Sequence, residues 1–189
     1  MRLPQVFTLA VFLACAAQAV TLNPAERLQL PGPAAVSAVA GLPDGSRVVC
    51  LDSRWVKLGA AGQVTLATAL PEACQTLHVS PDGQTLLTGP AWRVWSATDG
   101  HLVRDLPDAL SAGFLNSQEV VIRTAAGLER LNISTEQTTP LRPGPLTAFL
   151  VSPDGSRAVG SDGQRVQLLR LPDLTPLSGY RCEGDCTMK

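Results

Sequence analysis

The tripeptide Pro-Asp-Gly occurs three times in this chain of 189 residues, each time between two apolar stretches. Its prolines, Pro43, Pro81 and Pro153, are 38 and then 72 residues apart. Because the second spacing is twice 36, a weakened copy is expected halfway, and residues 114–121 keep the apolar flanks around a polar turn while lacking the proline and the glycine. Four units with a period of 36–38 residues indicate a stacked array of repeats.

Each unit has the pattern of short β-strands. Proline presets φ, aspartate bonds the backbone that follows, and glycine accepts a positive φ, so Pro-Asp-Gly predicts a tight hairpin. In the second unit a third strand is expected at 93–96 and a fourth at 102–106, beyond the turn Thr98-Asp99-Gly100. Four short antiparallel strands in about 40 residues are typical of a propeller blade. We therefore predict an all-β fold, a β-propeller-like array of about four four-stranded antiparallel blades, with repeats at about 34–71, 72–108, 109–145 and 146–178.

The chain resembles the WD-repeat β-propellers and their bacterial relatives. The resemblance is carried by Val79-Ser80-Pro81-Asp82-Gly83, by residues 94–100 and by residues 150–155. It departs from the family pattern at Ser96, where the family usually has aspartate, and no Gly-His pair opens a blade. The family commonly has seven blades, so three arrangements stay open: a tight ring of four blades, an open arc completed by a second copy, and a remnant of a longer propeller.

The N-terminus has the layout of an export signal. A basic start at Arg2, an apolar run at 6–14 and the small-x-small pattern Ala17-Gln18-Ala19 predict a signal peptide over 1–19 and a secreted or periplasmic protein. The alternative is a lipid anchor at Cys15. Residues 28–33 are similar to residues 140–145, so the segment 20–33 is interpreted either as a latching outer strand or as a linker. No later stretch is long and apolar enough to span a membrane. Residues 179–189 are expected to form a C-terminal tail.

Four cysteines follow the predicted signal peptide. Cys50 lies at the end of strand two of the first unit and Cys74 just before strand one of the second, so the two are expected at one level of neighbouring blades. We predict a disulfide between them, the alternative being two reduced, buried thiols. Cys182 and Cys186 are candidates for a small loop closed by a second bridge, or for thiols on a frayed tail.

Candidate chemistry is sparse. A formal net charge of −1 gives no electrostatic footprint for nucleic acid. Neither His78 nor His101 lies at ligand spacing from the cysteines, and the expected inner strands are nearly all apolar, so no metal site and no cofactor are predicted. His78 is the polar exception on these strands and is interpreted as a structural histidine.

Arginine and tryptophan provide the predicted binding surface. Arg54 and Trp55, like Trp92 and Arg93, follow the turn between strands two and three and are candidates for corresponding rim positions. The alternative is packing between blades, which we favour for Trp95. These observations predict an exported, non-catalytic interaction module with an unidentified protein or peptide partner. The alternatives are a propeller enzyme or small-ligand binder that uses the central channel, or a remnant of a longer propeller.

Overall fold

All regular structure in residues 35–182, the part of the chain that the computed structural model describes, is β-strand. Sixteen strands form four antiparallel sheets of four consecutive strands, called blades 1 to 4. Blades 1 and 2 consist of β1 Val36–Gly41, β2 Arg47–Leu51, β3 Arg54–Leu58 and β4 Val64–Ala69, then β5 Thr76–Val79, β6 Thr85–Gly89, β7 Arg93–Ser96 and β8 Leu102–Asp105. Blades 3 and 4 consist of β9 Ser111–Phe114, β10 Glu119–Arg123, β11 Gly127–Asn132 and β12 Thr138–Pro143, then β13 Ala148–Val151, β14 Arg157–Ser161, β15 Arg165–Arg170 and β16 Thr175–Arg181.

The predicted all-β fold with four four-stranded blades is confirmed. One boundary needs correction, because β16 continues past residue 178: Tyr180 pairs with Val166 and Arg181 with Arg165. The outer strand of each blade comes from the same repeat as its other three strands. A latching strand would therefore have to pair with the outer edge of β4 or β16 as a fifth strand. The segment 20–33 and the predicted signal peptide lie outside the described residues. No helix within 35–182 is long and apolar enough to cross a membrane.

The Pro-Asp-Gly turns form the hairpins between the first two strands of blades 1, 2 and 4. In each, the aspartate side chain accepts a hydrogen bond from the backbone N–H two residues ahead, at 2.9 Å for Asp44, 3.1 Å for Asp82 and 3.1 Å for Asp154. Blade 3 achieves the same closure with Asn116, whose Oδ1 accepts from the N–H groups of Gln118 and Glu119 at 2.9 Å each. The third repeat, which lacks Pro-Asp-Gly, therefore also forms a hydrogen-bonded hairpin turn.

Apolar side chains hold successive blades together. We call the side of a blade that turns toward the preceding blade its leading face, and the side that turns toward the following blade its trailing face. Val48 on the trailing face of blade 1 packs with Leu86 of blade 2, Leu87 of blade 2 packs with Val120 of blade 3, and Val121 of blade 3 packs with Ala158 of blade 4. The inner strands β1, β5, β9 and β13 contact one another in that order, and no comparable contact joins β13 to β1 within the described part of the chain. The blades thus form an arc.

A fourth apolar cluster lies on the leading face of blade 1. It consists of Val49, Leu51, Val56 and Leu58, each at most 1% exposed. Alternation along β2 and β3 turns these four side chains away from blade 2, on which Val48 and Trp55 pack. None of the other described hydrophobic residues packs against this cluster.

A disulfide joins Cys50 of β2 to Cys74, just before β5, as predicted. The Cα atoms are 5.6 Å apart, and the bridge crosses from blade 1 to blade 2. The Ser37 hydroxyl of β1 donates to the carbonyl oxygen of Cys74, which adds a polar contact at the same junction. The Cys182–Cys186 pairing stays a prediction, because Cys186 lies outside the described residues.

The turn glycine of blade 2 offers a direct test of blade packing. Gly83 and Gly45 occupy the same turn position with φ of +73° and +81°, but a Cβ at Gly83 would lie 2.5 Å from Pro43 Cδ, whereas a Cβ at Gly45 meets no described atom within 4 Å. Both alanine substitutions carry the cost of a positive φ. We expect Gly83→Ala to lower the free energy of unfolding by about 2 kcal/mol more than Gly45→Ala, because only its methyl group is overpacked. Urea unfolding of the two variants measures the difference, and equal midpoints would contradict it.

Candidate interaction surfaces

The tryptophans predicted for the rim lie between blades. Trp55 is fully buried and Trp92 is 7% exposed. Trp55 packs with Val48 and Leu86 at the first junction, and Trp92 packs with Val120 at the second. The two indoles do occupy corresponding positions on their blades, but strand alternation points both at the next blade. The burial of both indoles agrees with the alternative interpretation, packing between blades. Trp95, 6% exposed, is also in the core.

The neighbouring arginines lie closer to solvent. The Arg93 side chain is 15% exposed and bridges two carboxylates, with its Nε 3.2 Å from Asp105 Oδ1 and its NH2 3.9 Å from Glu72 Oε1. Arg54 is half-buried at the start of β3. The cation of Arg93 is thus already neutralised within the chain, and a binding role for either arginine stays a prediction.

His78 lies on the inner strand β5 and contacts the second blade junction. Its ring stacks on Trp92 with centroids 5.9 Å apart and planes 26° apart. Burial lowers the pKa of His78 below its usual 6.5, so the imidazole is neutral at pH 7. Within residues 35–182 no group of three or more His, Cys, Asp or Glu side chains is placed to hold a metal ion.

A cleft of about 120 Å³ opens between the outer parts of blades 2 and 3. Its floor is apolar, made by Leu106, Ile122 and Leu131, each at most 6% exposed. Its wall is polar and is lined by Arg104, Asp105, Asp108, Thr124, Glu129 and Thr138. No sequence pattern predicted this cleft, because its lining comes from two repeats and from the loop between them.

The charges of the cleft are unevenly matched. Arg104 pairs with Glu136 and Asp105 with Arg93, so these four groups are neutralised in pairs. Asp108 and Glu129 form no ion pair within the described residues. The cleft therefore combines an apolar floor with two uncompensated carboxylates, which suits the aliphatic stem and cationic end of a lysine or arginine side chain.

The hairpin turns make stability depend on acid pH. The hydroxyls of Ser152 and Ser156 donate to the Asp154 carboxylate at 2.6 and 2.7 Å, and these bonds lower the pKa of Asp154 to about 2 from 3.8. Because the folded-state pKa is lowered, this stabilisation is present above pH 3.8 and is lost as the pH falls through about 2. The urea midpoint of the parent chain should fall between about pH 4 and 2, in part because this stabilisation is lost. We expect the midpoint of Asp154→Asn to fall less over the same range, because asparagine does not titrate. A slope identical to that of the parent chain would contradict the assignment.

Comparison of the whole chain with known proteins identifies the fold. No family model and no curated protein matches the sequence. Among solved structures, the C-terminal WD40 domain of Sif2 superimposes with a TM-score of 0.65 at 13% identity, over 82% of this chain and 50% of that one. U3-55K superimposes with a TM-score of 0.62 at 12% identity, over 84% and 56%. The dihydro-heme d1 dehydrogenase NirN in complex with DHE gives a TM-score of 0.64 at 19% identity, over 82% and 39%. The chain thus spans about half the length of the WD40 structures it matches.

Proposed function

We propose that this chain, whose blades have the fold of WD40-type β-propellers, is an exported, non-catalytic module that binds a protein or peptide partner. The WD40 domains among the similar structures support an interaction role. The observation that carries the proposal is the cleft between blades 2 and 3, whose apolar floor and unpaired Asp108 and Glu129 fit a basic side chain of a peptide. In this mechanism the rigid blades hold the cleft open, and binding requires no chemical step.

A basic side chain would be recognised in two parts. Its methylene groups would cover Ile122 and Leu131 on the floor, where apolar contact is favourable. Its cationic end would then lie beside the carboxylates of Asp108 and Glu129, which accept charge-assisted hydrogen bonds. An acidic residue at the same position of the peptide would be repelled, so the cleft discriminates by the sign of the charge.

Peptide binding tests the proposal. A peptide array is screened with the purified chain, and the selected peptides are remade with glutamine in place of each lysine or arginine. We expect the Asp108→Asn/Glu129→Gln variant to bind the selected peptides at least about tenfold more weakly, the effect of losing one charged hydrogen bond of about 1.5 kcal/mol. The control Asp52→Asn/Glu72→Gln makes the same change of two charges outside the cleft and should bind as the parent does. Equal binding of the glutamine peptides would contradict the proposal.

The N-terminus of the purified protein tests export. If the proposed signal is cleaved after Ala19, mass spectrometry of protein from the extracytoplasmic fraction finds Val20 as the first residue. A lipid-modified N-terminus at Cys15 would instead indicate the anchored form. An intact Met1 in a cytoplasmic fraction would contradict both routes.

The similarity to a propeller dehydrogenase favours a second candidate, a small-ligand binder or enzyme that uses the central channel. His78, on inner strand β5, is the residue of this chain that such a role would use first. This candidate predicts that His78→Phe removes binding of the small ligand, whereas the module predicts that the same variant binds the selected peptides unchanged.

A further inference from the structure

The junction between blades 3 and 4 carries a concentration of positive charge. On the trailing face of blade 3, Arg123 of β10 and Arg142 of β12 lie on either side of Leu128, with which both are paired. On the leading face of blade 4, Arg165 of β15 lies directly opposite Arg181 of β16. Two facing sheets therefore direct four guanidinium groups toward the same junction.

A contact across the junction brings three of these arginines together. Arg142 Nη1 lies 3.5 Å from Oε1 of Gln167 on β15. Gln167 and Arg165 are two residues apart on the same strand, so their side chains leave one face of the sheet about 7 Å apart. Gln167 pairs with Gly179, two residues before Arg181 on β16. Arg142, Arg165 and Arg181 thus surround Gln167, and we call these three residues the arginine cluster.

Little negative charge faces the arginine cluster. Asp162, in the turn before β15, accepts the backbone N–H of Arg165 at 2.8 Å. Glu119, on the trailing face of blade 3, is already paired with Arg130. The loop 144–147 between the two blades contains no acidic residue. Within residues 35–182, none of the three arginines of the cluster forms an ion pair, so their charge is largely uncompensated.

The Arg165–Arg181 pair is unfavourable in the unbound chain. Directly opposite residues of antiparallel strands have Cβ atoms about 5 Å apart, and like charges in these positions repel each other. Blade 3 carries no charge at the corresponding pair, which is Gly127 and Pro143. An anion held between the two guanidinium groups would replace this repulsion by charge-assisted hydrogen bonds. The position of the pair therefore favours binding of an anion.

The neighbouring cleft, between blades 2 and 3, has the opposite charge. Glu129 and Gln167 occupy the same position on blades 3 and 4, two residues before Leu131 and Leu169, which both pack on the preceding blade. Between blades 2 and 3 this position is a carboxylate that acts together with Asp108. Between blades 3 and 4 it is an uncharged amide surrounded by arginines. Successive junctions therefore present an acidic site and then a basic one.

We propose that the arginine cluster binds the carboxylate of an acidic residue in the same peptide whose basic residue occupies the cleft between blades 2 and 3. Such a ligand rests on the proposed peptide-binding function and adds a second charged residue to it. Packed sheets lie about 10 Å apart, and an extended chain advances about 3.3 Å per residue. The two charged residues of the peptide are therefore expected about three or four positions apart.

A peptide fits these two sites better than a polyanion does. The carboxylates of Asp108 and Glu129 lie one blade away from the arginine cluster and would repel the successive phosphates of a nucleic acid. A guanidinium group matches a single carboxylate through two parallel hydrogen bonds, and a peptide supplies that carboxylate without further negative charge nearby. Its path between the sites would cross the outer edge of blade 3, where Thr138, Thr139 and Pro140 are exposed.

Peptide titration of a matched pair of variants is the first test. The peptides selected on the array should bind Arg165→Gln/Arg181→Gln at least about tenfold more weakly than the parent chain, because charged hydrogen bonds are lost. The control is Arg157→Gln/Arg170→Gln, since these exposed arginines are also directly opposite each other but lie on the trailing face of blade 4. The control should bind as the parent does, and both variants should keep its β-sheet circular dichroism spectrum. Equal loss of binding in the two variants would overturn the proposal.

The C-terminal tail requires a control of its own. Glu183 and Asp185 follow Arg181 closely in sequence. Glu183→Gln/Asp185→Asn should bind the selected peptides as the parent chain does. Tighter binding would show that the tail carboxylates compete for the arginine cluster, and would overturn its assignment to the peptide.

Changes in the peptide complete the test. Peptides with amide residues in place of aspartate and glutamate should bind the parent chain about tenfold more weakly. They should lose little further affinity for Arg165→Gln/Arg181→Gln, because both changes remove the same contact. If the amide peptides bind the parent equally well while Asp108→Asn/Glu129→Gln weakens binding, the peptide uses the cleft alone and only the role of the arginine cluster fails. If Asp108→Asn/Glu129→Gln also binds as the parent does, the proposed function fails with it.

Discussion

Trp55→Ala is expected to lower the free energy of unfolding by about 3–5 kcal/mol, the range for removing a buried aromatic side chain. Trp55 is fully buried between blades 1 and 2, where it packs with residues of both sheets. Truncation would leave a cavity that β-sheet hydrogen bonds on either side keep from collapsing. Urea unfolding followed by circular dichroism measures the loss, and a change below about 1 kcal/mol would contradict this role.

Two phenylalanine substitutions, Trp55→Phe and Trp95→Phe, separate the contribution of packing from that of hydrogen bonding in the same experiment. The indole N–H of Trp55 has no acceptor within the described residues, whereas that of Trp95 donates to Thr88 Oγ1 at 2.9 Å. Trp55→Phe therefore removes an unpaired polar group together with some contact. Trp95→Phe instead leaves the hydroxyl of Thr88, a residue 3% exposed, without its donor. We expect Trp95→Phe to cost about 1–2 kcal/mol more than Trp55→Phe. The reverse order would contradict the assigned hydrogen bond.

Loss of the Cys50–Cys74 bridge is the second large expected effect. The two cysteines are 24 residues apart in sequence, and a closed loop of that length stabilises the folded state by about 3.5 kcal/mol in the chain-entropy model. The loop contains β3 and β4, so reduction also releases the constraint between blades 1 and 2. We expect dithiothreitol to lower the urea midpoint of the parent chain by a corresponding amount.

The double variant Cys50→Ala/Cys74→Ala is the control for reduction. It should unfold near the midpoint of the reduced parent chain and should not respond to dithiothreitol. The single variant Cys74→Ala should likewise show no response to dithiothreitol, but it leaves the Cys50 thiol without its disulfide partner. A parent chain whose midpoint is unaffected by reductant would show that the bridge contributes no stability.

The repeat explains why much of this fold was predictable. Pro-Asp-Gly fixes the first hairpin of a unit through local bonds to the backbone, as in Asp44 and Asp154, and a local rule can be detected in a single sequence. The bridge between Cys50 and Cys74 followed from the strand positions, because antiparallel strands bring the end of β2 and the start of β5 to one level. The end of β16 did not follow, since its last pairs, such as Tyr180 with Val166, extend beyond the repeat period.

The surfaces were harder to predict than the strands. Tryptophan is common at protein-binding sites, which favoured an exposed position for Trp55 and Trp92. The direction of each side chain depends on which face of the strand its residue occupies, and a shift of one residue reverses it. The cleft between blades 2 and 3 was missed for another reason. Asp108 belongs to the loop that joins two repeats and Glu129 to the third strand of the next repeat, so their proximity is a property of the assembled array.

The order of contacts along the arc has a consequence for local opening. Among residues 35–182, each blade packs on its sequence neighbours, so the energy of this part of the fold is nearly a sum of blade and junction contributions, as in a one-dimensional chain. Local opening of the blades should begin at the end of the array with the fewest restraints and spread inward. Blade 1 is tied to blade 2 by a covalent bridge, while the outermost strand of blade 4, β16, is exposed along its whole length. Amide protons of blade 4 should therefore exchange with solvent before those of blade 2, giving the array a direction in which it unravels.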